Sequence, residues 1–224
     1  MVRQDKIAYL VTAFQLEAQD FPSSSEPPLD CMIRTVLSQA TSDRNRDNSY
    51  RSLRKIFPKW KDVAGADTGQ IETAIAAGGL ARRESATIKN VLVWTENRFG
   101  DYSLRELTDW ETEDILETLI KIPGIGIKTA SIVACFSLNR NVFPVDVHVH
   151  RILSRMGITS RKLNPDQTFY QVDPFIPVGR DRELHISLIA HGRSICRPGN
   201  PDCSGCLIAE HCDYANHKND WIEC

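Results

Sequence analysis

The chain has 224 residues, 42% hydrophobic and 25% charged, a composition that suits one compact unit or two small interlocked lobes. No uninterrupted apolar run reaches membrane-spanning length and the N-terminus lacks a signal-peptide pattern, so a soluble intracellular protein is expected. The net charge of -2 argues weakly against a partner that is a polyanion.

Residues 1 to about 20 place Ile7, Leu10, Val11 and Phe14 at helical spacing, the pattern of an amphipathic helix. The run from Pro22 to Pro28 then reads as a loop or linker. From Leu29 to Asp43 a buried helix is expected, with Met32, Ile33, Val36 and Leu37 on one face. The next segment is basic: Arg44 to Lys61 carries seven basic residues against Asp47 alone. A short helix over 66–77 follows, capped by Asp67 and closed by Gly78-Gly79, with Leu80 directly after. Glu84 to Phe99 reads as a further helix with Ile88, Val91, Leu92 and Thr95 inward and Gly100 at its end.

Glu106 to Glu117 holds six acids and no base, while Lys121 to Lys162 holds seven bases against Asp146, so the small net charge leaves room for one basic and one acidic face. Thr108-x-x-Glu111 has the form of a capping box before a helix running to about Lys121. Pro123, Gly124 and Gly126 break that helix, and another begins with Ala130, Val133, Ala134 and Phe136 buried. Helical patterns dominate and no alternating segment makes a strand, so the fold class is read as all-α.

Pro123-Gly-Ile-Gly126 between two helices leaves amide hydrogens at the start of the second, a site suited to an anionic oxygen such as a DNA phosphate. Lys128 falls in the first turn of that helix, where the dipole and partial desolvation disfavour its ammonium form and favour an amine nucleophile able to form a Schiff base. Asp146, in Phe143-Pro144-Val145-Asp146-Val147-His148, stands near a helix start, where a carboxylate can orient an amine or steady a developing cation.

Four of the seven cysteines crowd the C-terminal end in the spacing C-x6-C-x2-C-x5-C: Cys196, Cys203, Cys206 and Cys212. Four thiolates so close suit a soft metal centre better than disulfides in a cytosolic chain, with zinc as the chemical alternative to an iron-sulfur cluster. Cys31 and Cys135 lie on apolar faces and read as core.

At Ile122-Pro-Gly-Ile-Gly-Ile-Lys-Thr-Ala130, at Val145-Asp-Val-His-Val-His-Arg151 and at the cysteine spacing after Glu183 to Arg193, the sequence resembles the endonuclease III branch of the helix-hairpin-helix DNA glycosylase superfamily. The resemblance implies a six-helix domain over 20–140 containing the hairpin, and a helical 4Fe-4S domain from 1–19 and 141–224, with a DNA cleft between the two lobes. It implies that Lys128 is the Schiff-base nucleophile and Asp146 the catalytic carboxylate. It also implies that Gly124 and Gly126 meet DNA, that Gln39 fills the space of an extruded nucleotide, that Leu80 wedges the duplex, and that His148 contacts a phosphate or the opposite base. The four C-terminal cysteines would hold the 4Fe-4S cluster. One departure is the loop Arg197-Pro-Gly-Asn-Pro-Asp202, basic in relatives and here nearly neutral, which either shifts the expected DNA affinity to the hairpin and the Arg44 to Lys61 segment or leaves it weaker than is usual for the family.

The reading is therefore a bifunctional DNA N-glycosylase and abasic-site lyase of base excision repair. It acts on damaged pyrimidines or abasic sites in double-stranded DNA, as a monomer in the cytoplasm or, in a prokaryote, at the nucleoid. A monofunctional mismatch or adenine glycosylase, a non-catalytic module that binds DNA structure, and an electron-transfer role are the alternatives.

Overall fold

The computed structural model describes residues 2–15, 26–39, 41–76 and 80–217. All regular structure among them is helical, and none of these helices is long and apolar enough to cross a membrane. The chain divides into two units, one of residues 22–140 and one that joins 1–21 to 141–224.

The 22–140 unit holds α2 (Pro28–Val36), α3 (Asp43–Ile56), α4 (Trp60–Gly65), α5 (Thr68–Ala74), α6 (Ala81–Phe99), α7 (Thr112–Leu119) and α8 (Ile127–Phe136). Met32, Ile33, Val36 and Leu37 are fully buried, as their spacing predicts, yet α2 ends at Val36 and not near Asp43. The reason is Ser42, whose extended backbone and hydroxyl, accepting from the Asn45 amide at 3.2 Å, start α3. Asp30, in the first turn of α2, accepts the Tyr50 hydroxyl and the Trp60 indole N–H, tying α2 to α3 and α4.

Asp67 caps α5 in a reciprocal box with Gln70, as expected; Gly78-Gly79 lies outside the described residues. In α6 the inward set Ile88, Val91, Leu92 and Thr95 is completely buried, and Gly100 closes the helix at φ +77°. Thr108 and Glu111 do not form the expected box. Residues Arg105–Asp109 make a 3-10 turn, Trp110 and Glu111 are extended, and Glu111 precedes α7 without a side-chain cap bond.

The other unit holds α1 (Arg3–Ala13), α9 (Val147–Arg155), α10 (Pro165–Val172), α11 (Asp181–Ser194) and α12 (Asp213–Asn216). Ile7 and Leu10 of α1 are fully buried, whereas Val11 and Phe14 are half-buried. Lys6 binds Asp213 at 2.6 Å and also donates to the Met156 carbonyl, so the first helix is fastened to the C-terminal segment of the same unit. Gly157 makes this possible: at φ +71° its missing Cβ would lie 1.7 Å from an Asp213 carboxylate oxygen.

Candidate active site and cysteine centre

Within the 22–140 unit, the turn between α7 and α8 is built as its sequence predicts. Ile122 donates to Leu119 and Ile125 to Ile122, so two consecutive turns join the helices. Gly124 sits at φ +97° with its α-carbon against Thr87: a Cβ there would lie 2.4 Å from Thr87 Oγ1. Asn90 of α6 donates to the Pro123 carbonyl at 3.1 Å and holds the turn from the same side of the sequence. Gly126 is the N-cap of α8 with an ordinary φ of -102° and open space where a Cβ would be. The Thr129 and Ala130 amides turn back to the Gly126 carbonyl, and the dipole of α8 adds positive potential at its start. Lys128, half-buried, is the second residue of this helix. Leu80, 39% exposed, precedes α6, and Gln39, half-buried, ends the turn after α2.

The basic segment 44–61 proves to be α3 and α4, and part of its charge serves the fold. Arg46 bonds Asp43 and Asp47, and Arg54 lies over the Trp60 ring at 4.2 Å. Arg44, Arg51, Lys55, Lys59 and Lys61 are exposed.

In the other unit Asp146 is the N-cap of α9, and its Oδ1 accepts from the His148 and Val149 amides at 2.8 Å each. Both bonds fall on one oxygen, so the cap fixes the orientation of the whole carboxylate. His148 is half-buried, and its Nδ1 meets Arg151 Nη2 at 3.1 Å. Burial, with Arg151 and Arg193 adding to it and Asp146 opposing, pushes the His148 pKa below its ordinary value. Gly192 lets α11 approach this ring, since a Cβ there would come within 2.9 Å of the His148 Cβ.

Cys196, Cys203, Cys206 and Cys212 line one cavity together with Arg155 and His191. Arg155, 3% exposed, points its guanidinium at Cys196 Sγ (3.5 Å), donates to the carbonyls of Arg197 and Pro198, and lies over the Tyr214 ring at 4.5 Å. Arg151 donates to the carbonyls of Gly192 and Cys196. His191 Nε2 lies 3.4 Å from Cys206 Sγ. Burial and then the neighbouring thiols push Cys206 up to about 11, and Cys212 is raised by the same causes. Such a group of sulfurs is costly to ionise unless a cationic centre joins them. The four sulfurs line one small cavity between α9, the end of α11 and the C-terminal segment. Four thiols around a cavity, with an arginine and a histidine directed at them, fit a polynuclear iron-sulfur cluster.

The sequence reading missed Arg151, Arg155 and His191 as supports of this centre. The i, i+4 spacing of the two arginines was the available signal, and it says nothing of what they face until α9 and the cysteine loop are placed together.

A family model described as HhH-GPD superfamily base excision DNA repair protein matches residues 33–177. A provisionally named DNA glycosylase of Arabidopsis thaliana is 35% identical over 174 residues, 78% of this chain and 59% of that protein, so the chain spans under two thirds of that relative's length. An endonuclease III of Thermotoga maritima is 29% identical over 191 residues, 85% of each chain. Among solved structures, an endonuclease III in a non-covalent complex with DNA matches with a TM-score of 0.82 at 21% identity, over 99% of this chain and 100% of that one. A thermostable thymine-DNA glycosylase matches with a TM-score of 0.77 at 20% identity, over 96% of this chain and 97% of that one. These two likenesses show the fold.

Proposed function

We propose, since this chain belongs to the HhH-GPD superfamily of base excision DNA repair proteins, that it is a bifunctional DNA N-glycosylase and abasic-site lyase acting on damaged pyrimidines. The observation that carries the reading is Lys128 in the first turn of α8, directly after a glycine turn whose left-handed Gly124 and open Gly126 leave the backbone approachable. A phosphate received on those amides would hold the DNA strand beside the lysine.

In the reaction, the Lys128 amine attacks C1′ of the extruded nucleoside, and the C1′–N bond breaks with its electron pair leaving on the base. Ring opening gives an iminium between Nζ and C1′. Loss of a C2′ proton then expels the 3′ phosphate, which nicks the strand, and water releases the lysine. Asp146, its direction fixed by the α9 cap, steadies the cation that develops at the sugar. Leu80 and Gln39 offer an apolar wedge and an amide for the disturbed stack. His148, beside the Asp146 cap and Arg151, contacts a phosphate or the base opposite the lesion.

Cys196, Cys203, Cys206 and Cys212 would hold a 4Fe-4S cluster, which when bound ties the C-terminal segment together. The remaining parts of the proposal are double-stranded DNA as partner, a monomeric state, and a cytoplasmic or nucleoid location.

A panel of duplexes each carrying one damaged pyrimidine, mismatched adenine or abasic site tests the reading. Strand nicks that form without hot alkali on oxidised pyrimidines and abasic sites are expected. Breaks that need alkali would assign a monofunctional glycosylase. No base release from cluster-loaded protein on any duplex would assign a DNA-binding module.

A further inference from the structure

The geometry points to Asp173 and His185 as positioning residues for the Asp146 carboxylate, acting through the backbone of Phe143 and Pro144; this rests on the reading of Asp146 as catalytic.

Residues 142–145 have no regular secondary structure, yet Val142, Phe143 and Val145 are 0–2% exposed and Pro144 is buried. An irregular segment in the interior must give its amides and carbonyls to side chains, because neither water nor a helix takes them. Here two side chains do so. The Phe143 amide donates to Asp173 Oδ1 at 2.6 Å, and the Pro144 carbonyl meets His185 Nδ1 at 2.8 Å. Pro144 has no amide hydrogen of its own.

A carbonyl only accepts, so His185 must carry its proton on Nδ1, which fixes the tautomer. His185 is 3% exposed and its ring stands edge-on to Phe143, with centroids 6.5 Å apart. It therefore grips the segment by a hydrogen bond at one residue and by packing at the residue before.

The grip lies two and three residues ahead of Asp146, where the chain passes from this segment into the α9 cap. If it loosened, the segment would shift and the cap would move with the carboxylate. Misplacing a reacting group by about 1 Å costs on the order of a hundredfold in rate. His185 sits inside α11, in the segment before the cysteines that resembles the family, and Asp173 opens a 3-10 turn; the sequence alone gives neither of them a role.

The test measures single-turnover base release from a duplex with one thymine glycol, beside binding of a duplex with one tetrahydrofuran abasic analogue. His185→Asn puts an amide nitrogen where Nδ1 stands and should keep the rate within about threefold. His185→Gln, equally polar but with its donor one bond further out, should lose roughly tenfold or more with binding unchanged. Asp173→Asn keeps an acceptor oxygen and should be near wild type, whereas Asp173→Ala should fall like His185→Gln. Thermal midpoints confirm that the variants compared are folded, and the Asn and Gln pair carries the test even where a truncation does not fold. Equal rates for His185→Asn and His185→Gln, alongside a loss in Asp146→Asn, would overturn this inference and leave the catalytic reading standing. An Asp146→Asn variant that releases base at the wild-type rate would remove the reading itself.

Discussion

Two glycines two residues apart carry different burdens. At Gly124 a side chain meets both a positive φ and Thr87, so Gly124→Ala should destabilise the protein by about 1–3 kcal/mol from backbone strain, with the clash in addition. Pairing it with Thr87→Ala, which removes the two nearest atoms, should recover the clash and not the strain. A denaturant titration showing no recovery would contradict that division. At Gly126 the fold asks for no glycine: φ is ordinary and the space is open. Gly126→Ala should cost at most about 1 kcal/mol of stability, the value of a helix cap. It should nonetheless weaken binding to abasic-analogue DNA about tenfold, because a methyl would stand before the amides that receive the phosphate. Unchanged binding would mean that this turn does not meet DNA.

The sequence made such residues visible unevenly. Pro-Gly-Ile-Gly and a lysine just after it declare a turn and a helix start through local backbone chemistry, and Asp146 reads as a helix-start carboxylate for the same reason. Arg155, His191 and His185 are invisible by that route. Arg155 and His185 each act on a residue 41 positions away and His191 on one 15 away, in contacts that exist only once these segments are packed.

At the scale of elements, α5 and α6 were legible because their apolar spacing and their caps agree. The first half of α2 was legible too, but its end was not, since Ser42 serves the following helix. α10 carried a readable start in Asn164-Pro165-x-Gln167, where the Asn164 and Gln167 side chains cap each other, and the reading passed over it. At the first residue of α11, Asp181 is 5% exposed, and burial first, with the nearby Asp173 charge adding, pushes its carboxyl up to about 6. The folded state therefore holds this proton more tightly than the unfolded chain. Its contribution to stability is fully present below about pH 4 and is lost as pH rises through 6, a difference on the order of 3 kcal/mol. Asp181→Asn should thus match wild type near pH 4 and exceed its stability at pH 8. A stability difference that does not change between those pH values would refute the assignment.

For the molecule as a whole, the division into residues 22–140 and a unit assembled from both ends of the chain has an energetic consequence. The second unit rests on the Lys6–Asp213 pair, the Arg155 bonds and the cysteine centre, all of which join segments distant in sequence. Replacing a proposed cluster ligand, as in Cys203→Ser, should abolish the iron and visible absorbance of the purified protein. It should also speed amide exchange at Leu153 and Leu188 while Ile88 and Val91 keep their protection. Equal loosening in both units would contradict a cluster that stabilises its own unit.

The central claim is a covalent bond between one amine and one sugar carbon. Wild-type protein incubated with an abasic-site duplex and sodium borohydride should give a stable protein–DNA adduct, and Lys128→Ala should give none. An adduct of undiminished yield in Lys128→Ala, or none from cluster-loaded wild type, would contradict it.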